Sequence, residues 1–112
     1  MAALSEHSGV WVYGEHHGGR LHHVVLELAG KGAELAAARR CALEVVAMGQ
    51  DLEGIPDQLA GCGVGAVHLV SHPALAEHRD GPHSRALAWL IGQRRPEIVL
   101  AGATARGRSL MP

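Results

Sequence analysis

The sequence predicts an α/β fold built on a doubly wound, mainly parallel sheet, and three observations predict it. Four short runs of β-forming or apolar residues recur along the chain, at residues 10–13, 43–48, 66–70 and 98–101. Segments of helical periodicity lie between them. Glycines punctuate the strand ends at Gly14, Gly49 and Gly102. Strand alternating with helix is the pattern of parallel strands joined by right-handed crossovers.

Val10-Trp11-Val12-Tyr13 is the first strand, rich in β-formers and ended by Gly14. The E-H-H-G-G-R that follows, residues 15–20, reads as a turn in which Gly18 and Gly19 are free to take positive φ. A helix is expected over residues 23–40, with Leu28, Gly32, Leu35 and Ala36 on its inner face. Gly32 there costs about 1 kcal/mol in propensity but lets a backbone approach closely. Residues 43–48 form the second strand, closed by Gly49. A short helix is expected over 56–60, because Pro56 suits a first helical position and Gly61 a C-terminal cap. Residues 66–70 make the third strand, and 71–81 a connection with one helical turn at 74–78.

The second long helix is expected over residues 82–94. Ala86, Leu87, Leu90 and Ile91 make its apolar face, and Arg94-Arg95 suit the negative end of its dipole. Pro96 stops it, since the residue before a proline is biased away from the α region. Glu97 then opens the fourth strand, whose Ile98-Val99-Leu100-Ala101 run suits burial on both faces. The expected spatial order is 3-2-1-4, a Rossmann-like arrangement with its topological switch point between the first and fourth strands. Glu15 and His16 would flank that crevice from one side, and Gly102 and Thr104 from the other. Residues 1–9 read as a disordered tail and 10–112 as the domain. A sheet ending at its fourth strand is incomplete at its C-terminal end, so a further strand and helix, or a partner, would cover its edge.

The bulk properties agree with one domain of 112 residues, 47% hydrophobic and 19% charged. Fifteen glycines and no phenylalanine point to a core of small side chains. A formal net charge of −1 gives no electrostatic case for nucleic acid or an anionic membrane. No apolar run approaches the roughly 20 residues needed to span a bilayer, and no signal peptide is visible. Cys41 and Cys62 stand in neither metal nor redox spacing, which fits reduced thiols in a cytoplasmic protein.

Two long motifs carry a family resemblance. The stretch V-W-V-Y-G-E-H-H-G-G-R-L-H-H-V-V-L-E-L-A-G-K-G-A-E-L resembles the opening of electron transfer flavoprotein alpha subunits, where a strand ends in Glu-His, a glycine turn follows, and a T-L-E-L-L-G-K-A-like helix comes next. The close, P-E-I-V-L-A-G-A-T-A-R-G-R-S-L-M-P, is similar to that family's P-D-x-V-L-x-G-A-T-x-x-G-R-D-L-A-P signature. Between them, residues 64–70 resemble its G-A-D-x-V-x-V strand entry. Gly32, Ser109 and Met111 depart from the usual Ala, Asp and Ala.

The resemblance implies an N-terminal domain with a sheet of the adenine-nucleotide-hydrolase and universal-stress type, docked on a beta subunit. It further implies that FAD is held mainly by a separate C-terminal domain, so this chain alone is not expected to retain it, and that the related site of the beta subunit holds AMP. The whole heterodimer would carry electrons from dehydrogenases, such as those of acyl-CoA in fatty acid β-oxidation, towards the respiratory chain. On this reading the chain is a carrier component and not an enzyme.

The turn over residues 102–107 is the best site candidate. Its peptide N–H groups and the following helix start could face a phosphate, with Thr104 adding a hydroxyl, Gly102 and Gly107 the turn, and Arg108 charge. The same glycines equally suit a tight strand-to-helix turn with Arg108 at a subunit interface, and a stand-alone adenine-nucleotide module of the universal-stress type remains the alternative. Nine histidines invite a metal, but adjacent pairs such as His16-His17 and His22-His23 point in different directions, so no metal is expected. Trp11 is expected in the core and Trp89 at an interface.

Overall fold

A computed structural model describes residues 8–77 and 80–102. Four strands form one parallel sheet: β1 (Val10–Tyr13), β4 (Leu43–Gly49), β5 (Ala66–Ser71) and β6 (Ile98–Leu100). Their order is β5-β4-β1-β6, the 3-2-1-4 winding expected of the four principal strands. Two further strands, β2 (His16–His17) and β3 (Arg20–Leu21), pair with each other as a small antiparallel hairpin.

The central strand sets the layers. Val10 and Val12 point to one face and Trp11 and Tyr13 to the other, as strand alternation requires, and all four are buried. On the first face lie α1 (His23–Ala38) and α2 (Ile55–Gln58), packed through Val25, Ala29, Ala36, Ile55 and Leu59. On the second lies α3 (Asp80–Arg94), packed through Leu87 and Leu90. Helices on both faces and a parallel sheet between them make the chain an α/β protein of Rossmann-like type.

Helix α1 begins where the Nδ1 of His22 accepts a hydrogen bond from the Val24 N–H at 3.1 Å, capping an otherwise orphaned donor. It ends at Ala38, two residues before the expected Arg40. There Cys41 N donates to Ala36 O and Arg40 N to Ala37 O, a Schellman closure with Arg40 at φ 54°. Its inner face also differs from the expected one. Val25, Ala29, Gly32 and Ala36 are buried, whereas Leu28 is half-buried and Leu35 exposed. The cause is Gly32, pressed so near β4 that a Cβ there would lie 2.7 Å from Leu43 Cδ1. The smallest side chains take the line of closest approach, and the leucines flank it.

Helix α2 starts at Ile55, one residue earlier than expected, because Ile55 is fully buried beneath it. The expected turn at 74–78 is instead a 3₁₀ turn, Pro73–Leu75, entered through His72, whose Nδ1 accepts from Ala74 N at 3.0 Å. Helix α3 starts two residues before Pro82. At the amino end, Ser8 and Gly9 are tied to the fold, contrary to the tail expected through residue 9. Ser8 N donates to Arg95 O at 3.0 Å, and Gly9 O accepts from Glu97 N at 2.9 Å. Ile98, Val99 and Leu100 on the edge strand β6 are each only half-buried.

Candidate functional site

The site lies where β1 and β4 end. Gly14 N donates to Val46 O at 2.7 Å, carrying the β1 ladder one residue past the strand. A Cβ on Gly14 would stand 3.1 Å from both Val45 Cγ1 and Val46 O, so the chain crosses this point closely. It then folds back as the β2–β3 hairpin. Gly18 and Gly19 take φ of 59° and 85°, the positive pair of a type I′ turn, as their freedom in the sequence allowed. Gly19 rests on Asp51, whose carbonyl oxygen would be 2.5 Å from a Cβ there.

His16 holds this hairpin over β4. Its Nε2 meets Met48 O at 2.7 Å, and its Nδ1 accepts from Gly19 N at 3.1 Å. A carbonyl can only accept and an N–H only donate, so the ring is the neutral tautomer protonated at Nε2. Gly49 makes room for it, since a Cβ there would lie 2.9 Å from His16 Cε1. Glu15 is buried, and its carbonyl accepts from His22 N at 2.9 Å, linking the hairpin to the start of α1.

Gln58 of α2 clamps the other side. Its Oε1 accepts from Leu21 N at 2.8 Å while its Nε2 donates to Gly19 O at 2.7 Å. One side-chain amide thus satisfies two backbone groups of the hairpin, as a neighbouring strand would. Nothing in the sequence around Gln58 marks it. The hairpin itself did carry a signal, because a Gly-Gly pair between two short segments is a type I′ loop.

Two hollows flank the hairpin. One, of about 480 Å³, is lined by Tyr13, His16, His17, Met48, Leu75, Glu77 and His83 among others. Of these, Tyr13 and His83 are buried. The second, of about 490 Å³, lies between the hairpin and the start of α1, lined by Glu15, His17, Arg20, His22 and His23. The rings of His22 and His23 stack there at 4.4 Å. Among the described residues no three His, Cys, Asp or Glu side chains gather as a metal ion would need. Cys41 and Cys62 are free thiols packed against the α1-side core.

The structure brings Glu15 and His16 together, but aims the His16 ring at β4, on the opposite side of β1 from β6. Gly102 is buried just beyond β6 and lines neither hollow. Thr104, Gly107 and Arg108 lie outside the described residues. Away from the strand ends, His68 Nε2 pairs with Glu44 Oε1 at 2.5 Å and ties edge strand β5 to β4, while the His68 ring lies 5.4 Å from that of Trp11. Sequence reading gave no sign of this pair, because its partners meet only through the β4–β5 register.

Fold and site define an α/β domain whose first strand-to-helix junction is closed by its own hairpin. The chain belongs to the electron transfer flavoprotein domain family, whose model matches residues 10–112. It is 28% identical over 109 residues to electron transfer flavoprotein subunit alpha of Thermoanaerobacterium thermosaccharolyticum, covering 97% of this chain and 33% of that protein. It is 34% identical over 108 residues to the protein of the same name from Clostridium acetobutylicum, covering 96% and 32%. To the acryloyl-CoA reductase electron transfer subunit beta of Anaerotignum propionicum it is 31% identical over 111 residues, covering 99% and 30%. The chain spans about a third of the length of these relatives. No helix among the described residues is long and apolar enough to cross a membrane.

Proposed function

We propose that residues 10–112 are the N-terminal structural and docking domain of an electron transfer flavoprotein alpha subunit. That subunit pairs with a beta subunit in a cytoplasmic, FAD-containing carrier, which takes electrons from dehydrogenases, acyl-CoA dehydrogenases among them, and passes them to the respiratory chain. The observation that carries this reading is the family match along nearly the whole chain, together with alpha-subunit relatives about three times as long.

The site geometry supports a structural role. In nucleotide-binding sheets the first strand-to-helix turn leaves N–H groups open to a phosphate. Here the Val24 N–H is taken by His22, the Gly19 N–H by His16, and the Leu21 N–H by Gln58. Three donors of this turn are thus already bound within the chain, and Gly14 and Gly19 press on neighbouring atoms, which supports a structural use of the turn. The family resemblance implies FAD in a part of the alpha subunit that this chain does not span, and AMP in the beta subunit. When bound, the flavin supplies all the redox chemistry; the residues described here orient and dock. The 102–107 turn, with Arg108 beyond it, then serves turn geometry and the subunit interface.

The test is to purify the 112-residue chain natively and assay it for bound flavin and adenine nucleotide. Neither is expected. Stoichiometric flavin would overturn the reading. Stoichiometric AMP, lost on Arg108→Ala, would replace it with a nucleotide-binding module.

A further inference from the structure

We infer that the turn of the β2–β3 hairpin and the start of α1 form a proton-sensitive latch, held closed at the carboxyl end of the sheet by two imidazoles that can do so only while unprotonated. The inference goes beyond the docking role proposed above and does not depend on it.

The two rings are His16 and His22. His16 Nδ1 accepts from Gly19 N at 3.1 Å while its Nε2 meets Met48 O at 2.7 Å, so this ring ties the hairpin turn to β4. His22 Nδ1 accepts from Val24 N at 3.1 Å, so that ring caps α1 directly after the hairpin. Both therefore use Nδ1 as an acceptor. An imidazolium carries a proton on each nitrogen and accepts nothing. A proton added to either ring goes to Nδ1, where it sets two N–H donors against each other, and the bond is lost.

The surroundings do not reverse that direction. Tyr13, His17, Glu77 and His83 face His16 across the hollow on the α3 side. Glu15, Arg20 and His23 share the other hollow with both rings, and β4 contributes no titratable side chain to either. Glu15 and Glu77 would favour an imidazolium; Arg20 and the other histidines would oppose one. Whichever prevails, the added proton occupies the acceptor that Gly19 or Val24 uses. The balance of charge sets where on the pH scale the latch opens, and not whether it does.

Closure needs neutral rings, so the open form binds protons that the closed form does not. Closure is therefore complete at high pH and is lost as pH falls through the imidazole range. Gln58 does not titrate and keeps its hold on Leu21 N and Gly19 O, so the release is local. His72 uses Nδ1 in the same way beyond β5, on Ala74 N at 3.0 Å, in a connection whose charged side chain is Glu77. The opposite end of the sheet is built differently. Where α1 and α3 end, Cys41 N donates to Ala36 O at 2.9 Å and Arg95 N to Ile91 O at 2.8 Å, contacts between peptide groups that no proton removes. His68 bonds Glu44 through Nε2, and a second proton on that ring leaves the contact in place.

The test is amide hydrogen exchange on the 112-residue chain, resolved by NMR and corrected for intrinsic exchange. It compares about pH 8 with about pH 5, on either side of the imidazole titration. Gly19 and Val24 are expected to lose protection by about tenfold or more at the lower pH, while Cys41 keeps its own. His22→Asn supplies a capping acceptor that does not titrate. In that variant Val24 should be equally protected at both pH values, while Gly19 still responds. Unchanged protection of Gly19 and Val24 in the wild-type chain would overturn the inference. So would an equal loss at Cys41, which would mean acid unfolding of the whole domain, or a loss at Val24 that persists in His22→Asn.

Discussion

On the α1 side of the sheet, Val10, Val12, Val45 and Ala47 meet Val25, Ala29, Gly32 and Ala36; on the α3 side, Trp11, Tyr13 and Met48 meet Leu75, Leu87 and Leu90. The same strands supply both sets, residue by alternate residue. Small side chains on the first face let the helix backbone come down to the sheet, as the Gly32–Leu43 approach records. Large ones on the second face fill the space under a helix whose buried apolar residues, among those described, are Leu87 and Leu90. A close-packed layer and a stand-off layer can thus reach interior density by different means. The difference carries outward. Helix α1 turns a charged, self-paired face to solvent, while α3 leaves a tryptophan there.

If the α3 layer is filled mainly from the sheet, Trp11 should dominate it. Trp11→Ala is expected to cost about 3–5 kcal/mol in denaturant unfolding, the range for removing a buried aromatic side chain. Trp89→Ala should change stability by less than about 0.5 kcal/mol, as exposed substitutions do. Comparable losses at the two tryptophans would break the distinction between a core position and an outward one.

The strands were legible because their side chains are β-formers bounded by glycine, and the sheet order followed from the crossover rule. The inner face of α1 was read with Leu28 and Leu35 on it. Periodicity weights large apolar residues, whereas here the closest approach selects Gly32 and alanines. At the site, Glu15 and His16 stood out by composition, but the bond from His16 to Met48 spans 32 residues and no local pattern encodes it. Gln58 was invisible for the same reason: an exposed amide in a one-turn helix gains its role only from where the hairpin lands. Both misses at the site concern polar contacts distant in sequence, while the strands and the sheet order rest on local propensity and hydrophobic pattern.

The close-packed layer can be tested at its tightest point. Gly32→Val would place its Cβ 2.7 Å from Leu43 Cδ1 and 3.4 Å from Val12 Cγ2, with further methyl groups beyond. Overpacking of this kind is expected to cost about 2–3 kcal/mol, measured by the shift in denaturant midpoint. Gly32→Ala should cost much less, because the Leu43 methyl can swing aside and the helix gains up to about 1 kcal/mol in propensity. A tolerated valine would show that α1 does not ride on the sheet as closely as its small residues imply.

The opposite glycine should respond with the opposite sign. Gly92 lies in the last turns of α3, its φ is not positive, and an added Cβ would meet nothing among the described residues within 4 Å. Gly92→Ala therefore adds no clash and removes backbone freedom from the unfolded chain, so it should stabilise the protein by about 0.5 kcal/mol. That gain is small, but its sign separates the two layers: one helix holds glycine because the sheet is too near for a side chain, the other where nothing among the described residues excludes one. A destabilised Gly92→Ala would mean that α3 packs against something on its outer side even in the isolated chain, and the contrast between a closed and an open layer would be lost.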